Sequence, residues 1–95
     1  MRLPRYHFTF DPQKKGLRKI LGDLEADVME AIWALGRATV REVHERLEAA
    51  DRALAYTTVM TVMSRLAEKG LLEKRKDGAA YVYVPVVSRE EFTRR

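Results

Sequence analysis

The sequence contains no cysteine. This absence excludes disulfides, thiolate metal sites and cysteine nucleophiles, and it is typical of proteins from a reducing cytoplasm. Long apolar runs are also absent, since none approaches the roughly 20 residues that cross a bilayer. The segment from Met1 to Ile20 is basic and lacks the apolar centre of a secretory signal. We therefore expect a cytoplasmic protein without a membrane span.

Catalytic motifs are equally scarce. The two histidines, His7 and His44, are far apart and have no accompanying cysteine or paired carboxylates, so they do not form a metal-ligand pattern. No Gly-rich phosphate loop, HExxH motif or Ser-His-Asp set is present. The 95 residues fit one domain and leave little room for an internal active-site cavity. We predict a protein that is not an enzyme and that holds no metal or cofactor.

Charge is segregated along the chain. The net charge is +4, but residues 1–21 carry +5, residues 22–70 carry −3 and residues 71–95 carry +2. Basic ends around an acidic middle indicate a polyanionic partner that is met by specific elements of the fold.

The basic N-terminal segment, residues 1–21, has aromatic residues at alternate positions, Tyr6, Phe8 and Phe10, before Asp11-Pro12 interrupts the pattern. Such alternation is typical of a short strand. Two interpretations remain open for this segment: a basic aromatic arm, or a disordered basic tail.

Apolar periodicity predicts two helices in the first half of the domain. The first runs over residues 23–35, with Gly22 as N-cap, Glu25 as a capping-box acid and Gly36 as its end. Its buried stripe, flanked by Trp33, is predicted to be Leu24, Val28, Ile32 and Leu35. The second begins at Val40 after the capping box Thr39-Val-Arg-Glu42 and ends near Ala49-Ala50-Asp51-Arg52. Its inward side is predicted to be Val40, Val43 and Leu47, with His44 half-buried.

A third helix is predicted over residues 56–69, ending at Gly70. At 100° per residue its side chains separate into two sides. The apolar side consists of Val59, Val62, Met63 and Leu66, and the polar side of Thr57, Thr58, Thr61, Ser64, Arg65 and Glu68.

The pattern after Gly70 is that of a hairpin. Asp77-Gly78 separates two β-prone runs, which is a strong turn signal, and Pro85 closes the second strand. Tyr81 and Tyr83 are predicted to share one strand face, opposite Val82 and Val84, and one of these pairs must pack on the helices. The tyrosines are interpreted mainly as core residues, with a phosphate contact by one hydroxyl as the alternative.

The order of elements predicts an α+β, mostly helical fold, a winged helix-turn-helix with three helices and a β-hairpin wing. A further capping box, Ser88-Arg-Glu-Glu91, starts a fourth helix near Arg89. The predicted divisions are an arm over residues 1–21, the winged-helix domain over 22–87, and the start of a truncated C-terminal helix over 88–95.

The exposed side of the third helix suggests DNA binding. Threonine is disfavoured on exposed helix surfaces because its β-branched side chain loses rotamer freedom there, so three in five positions need an explanation. In the major groove, Thr and Ser hydroxyls bond to phosphates or base edges, and arginine can bond guanine through two donors. The alternative is an ordinary solvated surface that is rich in threonine.

The hairpin carries Lys74, Arg75 and Lys76 beside its turn. Such a wing can lie along the phosphate backbone, where it contributes charge and position. Protection of an edge strand against pairing with other chains is the alternative. The position directly after a threonine-lined helix favours DNA.

Several blocks closely resemble the penicillinase repressor family, which includes the β-lactamase, methicillin-resistance and copper-operon repressors. The blocks are Leu21-Gly-Asp-Leu-Glu, Val28-Met-Glu-Ala-Ile-Trp33, Thr39-Val-Arg-Glu-Val-His44, Ala55-Tyr-Thr-Thr-Val-Met-Thr-Val-Met-Ser-Arg-Leu66, Lys69-Gly-Leu71 and Tyr81-x-Tyr83-x-Pro85. The resemblance covers about residues 21–92.

What the resemblance implies is a dimeric winged-helix repressor that binds a short inverted repeat, with the third helix in the major groove. Nine positions match the family's DNA-facing helix and wing: Thr57, Thr58, Met60, Thr61, Ser64, Arg65, Lys74, Arg75 and Lys76. We add the neighbouring Tyr56 to this predicted DNA-binding set. Met60 lies at the edge of the apolar side of the helix.

Two departures from the family limit what is carried over. Members continue into a C-terminal helical segment that forms the dimer and, in antibiotic-responsive members, carries the inducing cleavage, whereas this chain stops at Arg95. We therefore expect a monomer or a weak homodimer held through the arm, which pairs mainly on DNA. Copper-responsive members use a C-terminal cysteine pair, so copper sensing is not expected here.

Two other functions remain as alternatives to a DNA-binding repressor. Winged helices also bind protein partners through the same surface, although a basic hairpin and Arg65 favour DNA. A truncated member could also compete with a full-length relative for operators or for mixed complexes.

Overall fold

The computed structural model of the chain describes residues 22–93. The predicted arm, residues 1–21, lies outside the described residues. The elements are α1 (Asp23–Leu35), α2 (Val40–Ala49), α3 (Tyr56–Glu68), β1 (Leu72–Asp77), β2 (Ala80–Pro85) and α4 (Arg89–Thr93). Three helices followed by an antiparallel hairpin make a winged helix, which confirms the predicted fold class.

Local capping signals fix where α2 and α4 begin. The Thr39 hydroxyl accepts the Glu42 amide N–H at 3.1 Å, and the Thr39 amide donates to Glu42 Oε1 at 2.9 Å. Ser88 and Glu91 make the same reciprocal pair at the start of α4, at 3.0 and 2.9 Å. Each box satisfies two amide donors that a helix start leaves without partners.

The start of α1 differs from its prediction. Gly22 provides no side-chain cap, and the Glu25 carboxylate accepts from Lys69 Nζ at 2.8 and 2.9 Å. The expectation that Glu25 is a capping-box acid is therefore wrong, because this side chain links the start of α1 to the residue that ends α3.

The core lies where α1, α2 and α3 meet over the base of the hairpin. The four apolar residues of α3 are buried as predicted: Val59, Val62, Met63 and Leu66. In α2, Val43 and Leu47 are buried, whereas Val40 is half-buried against the core. His44 is half-buried as predicted, with its ring edge-on to the Tyr56 ring at 5.7 Å between centroids.

The predicted stripe of α1 is only half correct. Val28 and Ile32 are fully buried, but Leu24 and Leu35 are 37% and 38% exposed, and Met29 is buried instead. The two leucines lie in the terminal turns of α1, and the buried residues lie in its middle, where it packs against both α2 and α3. The buried surface is therefore wider and shorter than a single stripe.

The hairpin has a different turn from the one expected. Asp77 pairs with Ala80, so the two turn residues are Gly78 and Ala79. Gly78 has a φ of +65° and Ala79 does not have a positive φ, which is the pattern of a type II′ turn that begins with glycine. Asp77 is therefore the last residue of β1 and not a turn residue.

Depth along β2, and not its alternating faces, decides which side chains are buried. Tyr83 and Val82 are both buried, while Tyr81 is 50% exposed, so Tyr83 is a core residue as interpreted and Tyr81 is not. The base of the hairpin lies against the helices, and its tip projects from them. The backbone of Ala38, between α1 and α2, exchanges hydrogen bonds with Tyr83 at 2.8 and 3.1 Å and fixes the hairpin base.

Candidate nucleic-acid interface

The outer surface of α3 is a ridge of short polar side chains. The four apolar residues of the helix face the core, so Thr57, Thr61 and Ser64 project on the opposite side and are exposed. The helix has no acidic residue in its first turn, and Glu68 is in its last. The outermost part of the helix is therefore slender over its first two turns and carries hydroxyl donors and acceptors.

A groove runs along one side of this ridge, between α3, the start of α2 and the hairpin. We call it the wing groove. It is lined by Thr39, Val40, Arg41, Tyr56, Met60, Ser64, Lys74, Ala80, Tyr81 and Tyr83. Three of the predicted helix residues, Tyr56, Met60 and Ser64, thus lie beside one of the predicted wing residues, Lys74.

A shallower cleft runs along the other side of the ridge. Its lining residues come from α3 and from the first turn of α1: Leu24, Thr57, Thr58, Thr61, Val62 and Arg65. The sequence-predicted helix residues therefore do not form one flat surface. They are divided by the ridge into a set beside the wing and a set beside α1.

The three basic residues of β1 have different surroundings. Lys74 Nζ lies 4.5 Å from the Tyr81 ring centroid and 6.0 Å from that of Tyr83. Arg75 contacts Glu73 on its own strand, with 2.7 Å between Nη2 and Oε1. Lys76 is exposed and has no ion pair among residues 22–93. Lys74 and Lys76 are thus available to an anion, whereas Arg75 is already held by a carboxylate.

Two polar residues of this surface, at the start of α2, were not among the predicted site residues. Thr39 and Arg41 line the wing groove from the start of α2. Arg41 contacts only Glu45 in the described part of the chain, at 3.5 Å. The sequence did contain a signal for Arg41. A cation in the first turn of a helix is unfavourable beside the positive end of the helix dipole, so its presence there suggests another role.

The described residues do not form a metal site or a membrane-crossing helix. Between residues 22 and 93 no group of three His, Asp or Glu side chains is arranged to hold a metal ion. Over the same range no helix has the length and apolar character that a membrane crossing requires.

Comparisons with known proteins agree on one family. The family model for the penicillinase repressor matches residues 21–95. The transcriptional regulator BlaI of Mycobacterium tuberculosis is 53% identical over 72 residues, which are 75% of this chain and 51% of that protein. The penicillinase repressor of Bacillus licheniformis is 29% identical over 72 residues, which are 76% of this chain and 56% of that protein.

The fold is also similar to a solved structure, described as that of the CopR repressor. The two structures superimpose with a TM-score of 0.52 at 35% sequence identity, and the match covers 64% of this chain and 87% of that chain. The chain spans about half the length of the curated relatives it matches. These relatives are named as transcriptional regulators or repressors, a class of proteins that are not enzymes. The chain belongs to the penicillinase repressor family.

Proposed function

We propose that this chain is a transcriptional repressor that binds double-stranded operator DNA, with α3 in the major groove and the hairpin along the backbone. The observation that carries the proposal is the shape and chemistry of the α3 ridge. Thr57, Thr61 and Ser64 are short enough for the helix to enter a groove about 12 Å wide, and their hydroxyls can bond base edges or phosphates.

Base recognition would come from α3. We assign this role to Thr57, Thr58, Met60, Thr61, Ser64 and Arg65, with Tyr56 at the entrance of the helix. Arg65 lines the cleft beside α1 and has no carboxylate partner in residues 22–93, so its guanidinium is available to bond guanine O6 and N7 together.

Backbone contacts would come from the cations around the ridge. Lys74 and Lys76 on the hairpin and Arg41 at the start of α2 lie on the wing side of α3. Arg75 also belongs to the proposed wing, but it contributes less because Glu73 holds it. Such contacts set orientation and salt dependence and carry little sequence information.

We further propose that two copies bind an inverted repeat. A single winged helix reads few base pairs, and a two-fold pair on a palindrome increases discrimination among genomic sites. In this proposal residues 22–87 are the DNA-binding unit, residues 1–21 add a basic arm, and residues 88–95 begin a further helix.

Selection of bound duplexes from random DNA, with the full 95-residue chain, tests the proposal. We expect enrichment of an inverted repeat, and an affinity for it that falls steeply as salt rises. Light scattering of the complex on the full repeat and on a half-repeat gives the number of copies bound. A chain that enriches no sequence, and whose affinity is flat across a fourfold change in salt, would contradict the proposal.

A further inference from the structure

The wing groove has an apolar floor, formed by Tyr56, Met60 and Tyr81, whose side chains are exposed and not part of the core. Met60 is 42% exposed, although α3 buries Val59, Val62, Met63 and Leu66 in the core. Tyr56 and Tyr81, also exposed, line the same groove from the start of α3 and from the hairpin. Three large, exposed apolar side chains therefore converge in a groove that also presents hydroxyls and cations.

The arrangement along α3 gives the groove a direction. Tyr56, Met60 and Ser64 are four residues apart, so they form a row along the side of the helix that faces the hairpin. Met60 is in the middle of this row, one turn from the Ser64 hydroxyl. A methionine in this place is flexible and polarisable, and it can adapt to a small apolar group.

The groove also has cations on two of its sides. Arg41 lines it from α2 and Lys74 from β1, where the Lys74 ammonium lies over the Tyr81 ring. An apolar floor with cations beside it is complementary to a DNA strand, which carries phosphates on its outside and base edges within the groove. The apolar group that a base edge displays in the major groove is the C5-methyl of thymine.

We propose that Met60, supported by Tyr56 and Tyr81, contacts a thymine methyl in each operator half-site and so specifies thymine at that position. This inference depends on the proposed function, since it concerns the same interface. Arg41 and Lys74 hold the neighbouring phosphates, and Ser64 bonds a polar atom beside the methyl. The competing occupant of the floor is the sugar of the backbone, which would give no preference among bases.

The test replaces thymine by deoxyuridine, which removes the methyl and leaves base pairing intact. The full chain first selects its preferred duplex from random DNA, and each thymine of that duplex is then replaced in turn. At one thymine per half-site we expect the affinity to fall about fourfold, the factor that corresponds to one buried methyl-sized group. For the Met60→Ala variant, the same replacement should leave affinity unchanged.

Leu35→Ala is the matched control. Leu35 is an aliphatic side chain of α1, 38% exposed and outside the wing groove, so its loss should leave the fourfold sensitivity intact. Met60 is exposed, so Met60→Ala is expected to melt with the unaltered chain, and melting curves of both variants check this.

The outcomes separate this inference from the function on which it rests. Equal sensitivity of the unaltered chain and Met60→Ala to every replacement would mean that another group contacts the methyl or that the floor holds the sugar. That result overturns the inference while sequence-specific binding stands. Binding without any selected thymine overturns it in the same way. A chain that binds no duplex DNA overturns both proposals.

Discussion

The cations that contact α1 and those around the outer surface of α3 and the hairpin are held in different ways. Around α1, three acids each hold a cation from another part of the fold. The pairs are Asp27 with Arg52 at 2.9 Å, Glu30 with Arg89 at 2.9 Å, and Glu25 with Lys69 at 2.8 Å. The acid of each pair is partly or fully buried, and the partners are 25 to 59 residues away in sequence.

On the side of α3 and the hairpin, the pairing is weaker. Among residues 22–93, Arg65, Lys74 and Lys76 have no carboxylate contact, and the pairs of Arg75 and Arg37 are exposed. Three acids of α1 therefore tie this helix to other parts of the fold, whereas Arg65, Lys74 and Lys76 have no such carboxylate among the described residues. The same residue types therefore stabilise the fold around α1 and remain available to a polyanion beside α3.

The largest effect is expected from Trp33 of α1. Its Nε1–H donates to the Val87 carbonyl at 2.9 Å and its ring lies against Phe92, 6.2 Å between centroids. Trp33→Ala should lower the free energy of unfolding by about 3 kcal/mol, because it removes both the packing and the hydrogen bond. Urea unfolding measures this, and Trp33→Phe, which keeps a ring, should lose about half as much. Unchanged unfolding of Trp33→Ala would contradict a structural role.

A second prediction compares a buried pair with an exposed one. Asp27 is 6% exposed, and Asp27→Asn removes the charge that balances Arg52, so unfolding free energy should fall by about 2 kcal/mol. Glu45→Gln breaks the exposed pair with Arg41 and should change it by less than about 0.5 kcal/mol. Equal losses of unfolding free energy for the two variants would remove the distinction between the ion pairs around α1 and those beside α3.

The elements of the fold were predictable where their signals are local. Thr39 and Glu42 are three residues apart, so their capping box is visible in the sequence, and four apolar residues set the rotation of α3. The contacts of Glu25 with Lys69 and of Ala38 with Tyr83 join residues about 45 apart. Periodicity within one helix or strand carries no information about such partners, which is why the cap of α1 and the exposure of Tyr81 were predicted wrongly.

A third prediction concerns sequence-specific binding. Arg65→Ala should weaken binding to the selected duplex by about 1–3 kcal/mol and binding to random DNA much less, if its guanidinium bonds a base. Arg46→Ala is the matched control, because Arg46 is exposed but lines a cleft between α1 and α2 that contains no α3 residue. Fluorescence anisotropy of the unaltered chain and of both variants, each with both duplexes, measures the six affinities. An equal loss for Arg65→Ala on both duplexes would reduce its role to a phosphate contact.

The sequence predicted which residues of α3 face outward, but it did not predict which residues of other elements lie beside them. The rotation of α3 identifies Thr57, Thr61 and Ser64 as outward residues, and this follows from the helix alone. The division of the surface into two clefts depends on where the hairpin and the first turn of α1 lie. Those positions arise from long-range packing, so the neighbourhood of Met60 with Tyr81 and Arg41 was not available from spacing.

The smallest expected effect distinguishes two neighbouring cations of the hairpin. Each phosphate that a protein neutralises adds about 0.9 to the slope of log affinity against log salt concentration. Lys76 has no ion pair within the described residues, so Lys76→Gln should reduce that slope by about 1. Arg75 is held by Glu73 at 2.7 Å, so Arg75→Gln should reduce it by much less, because fewer counterions are displaced by a cation already paired. Titrations of the selected duplex between about 50 and 200 mM salt provide both slopes. Equal reductions would show that Arg75 leaves Glu73 when DNA binds, and that the paired and unpaired cations of the wing act alike.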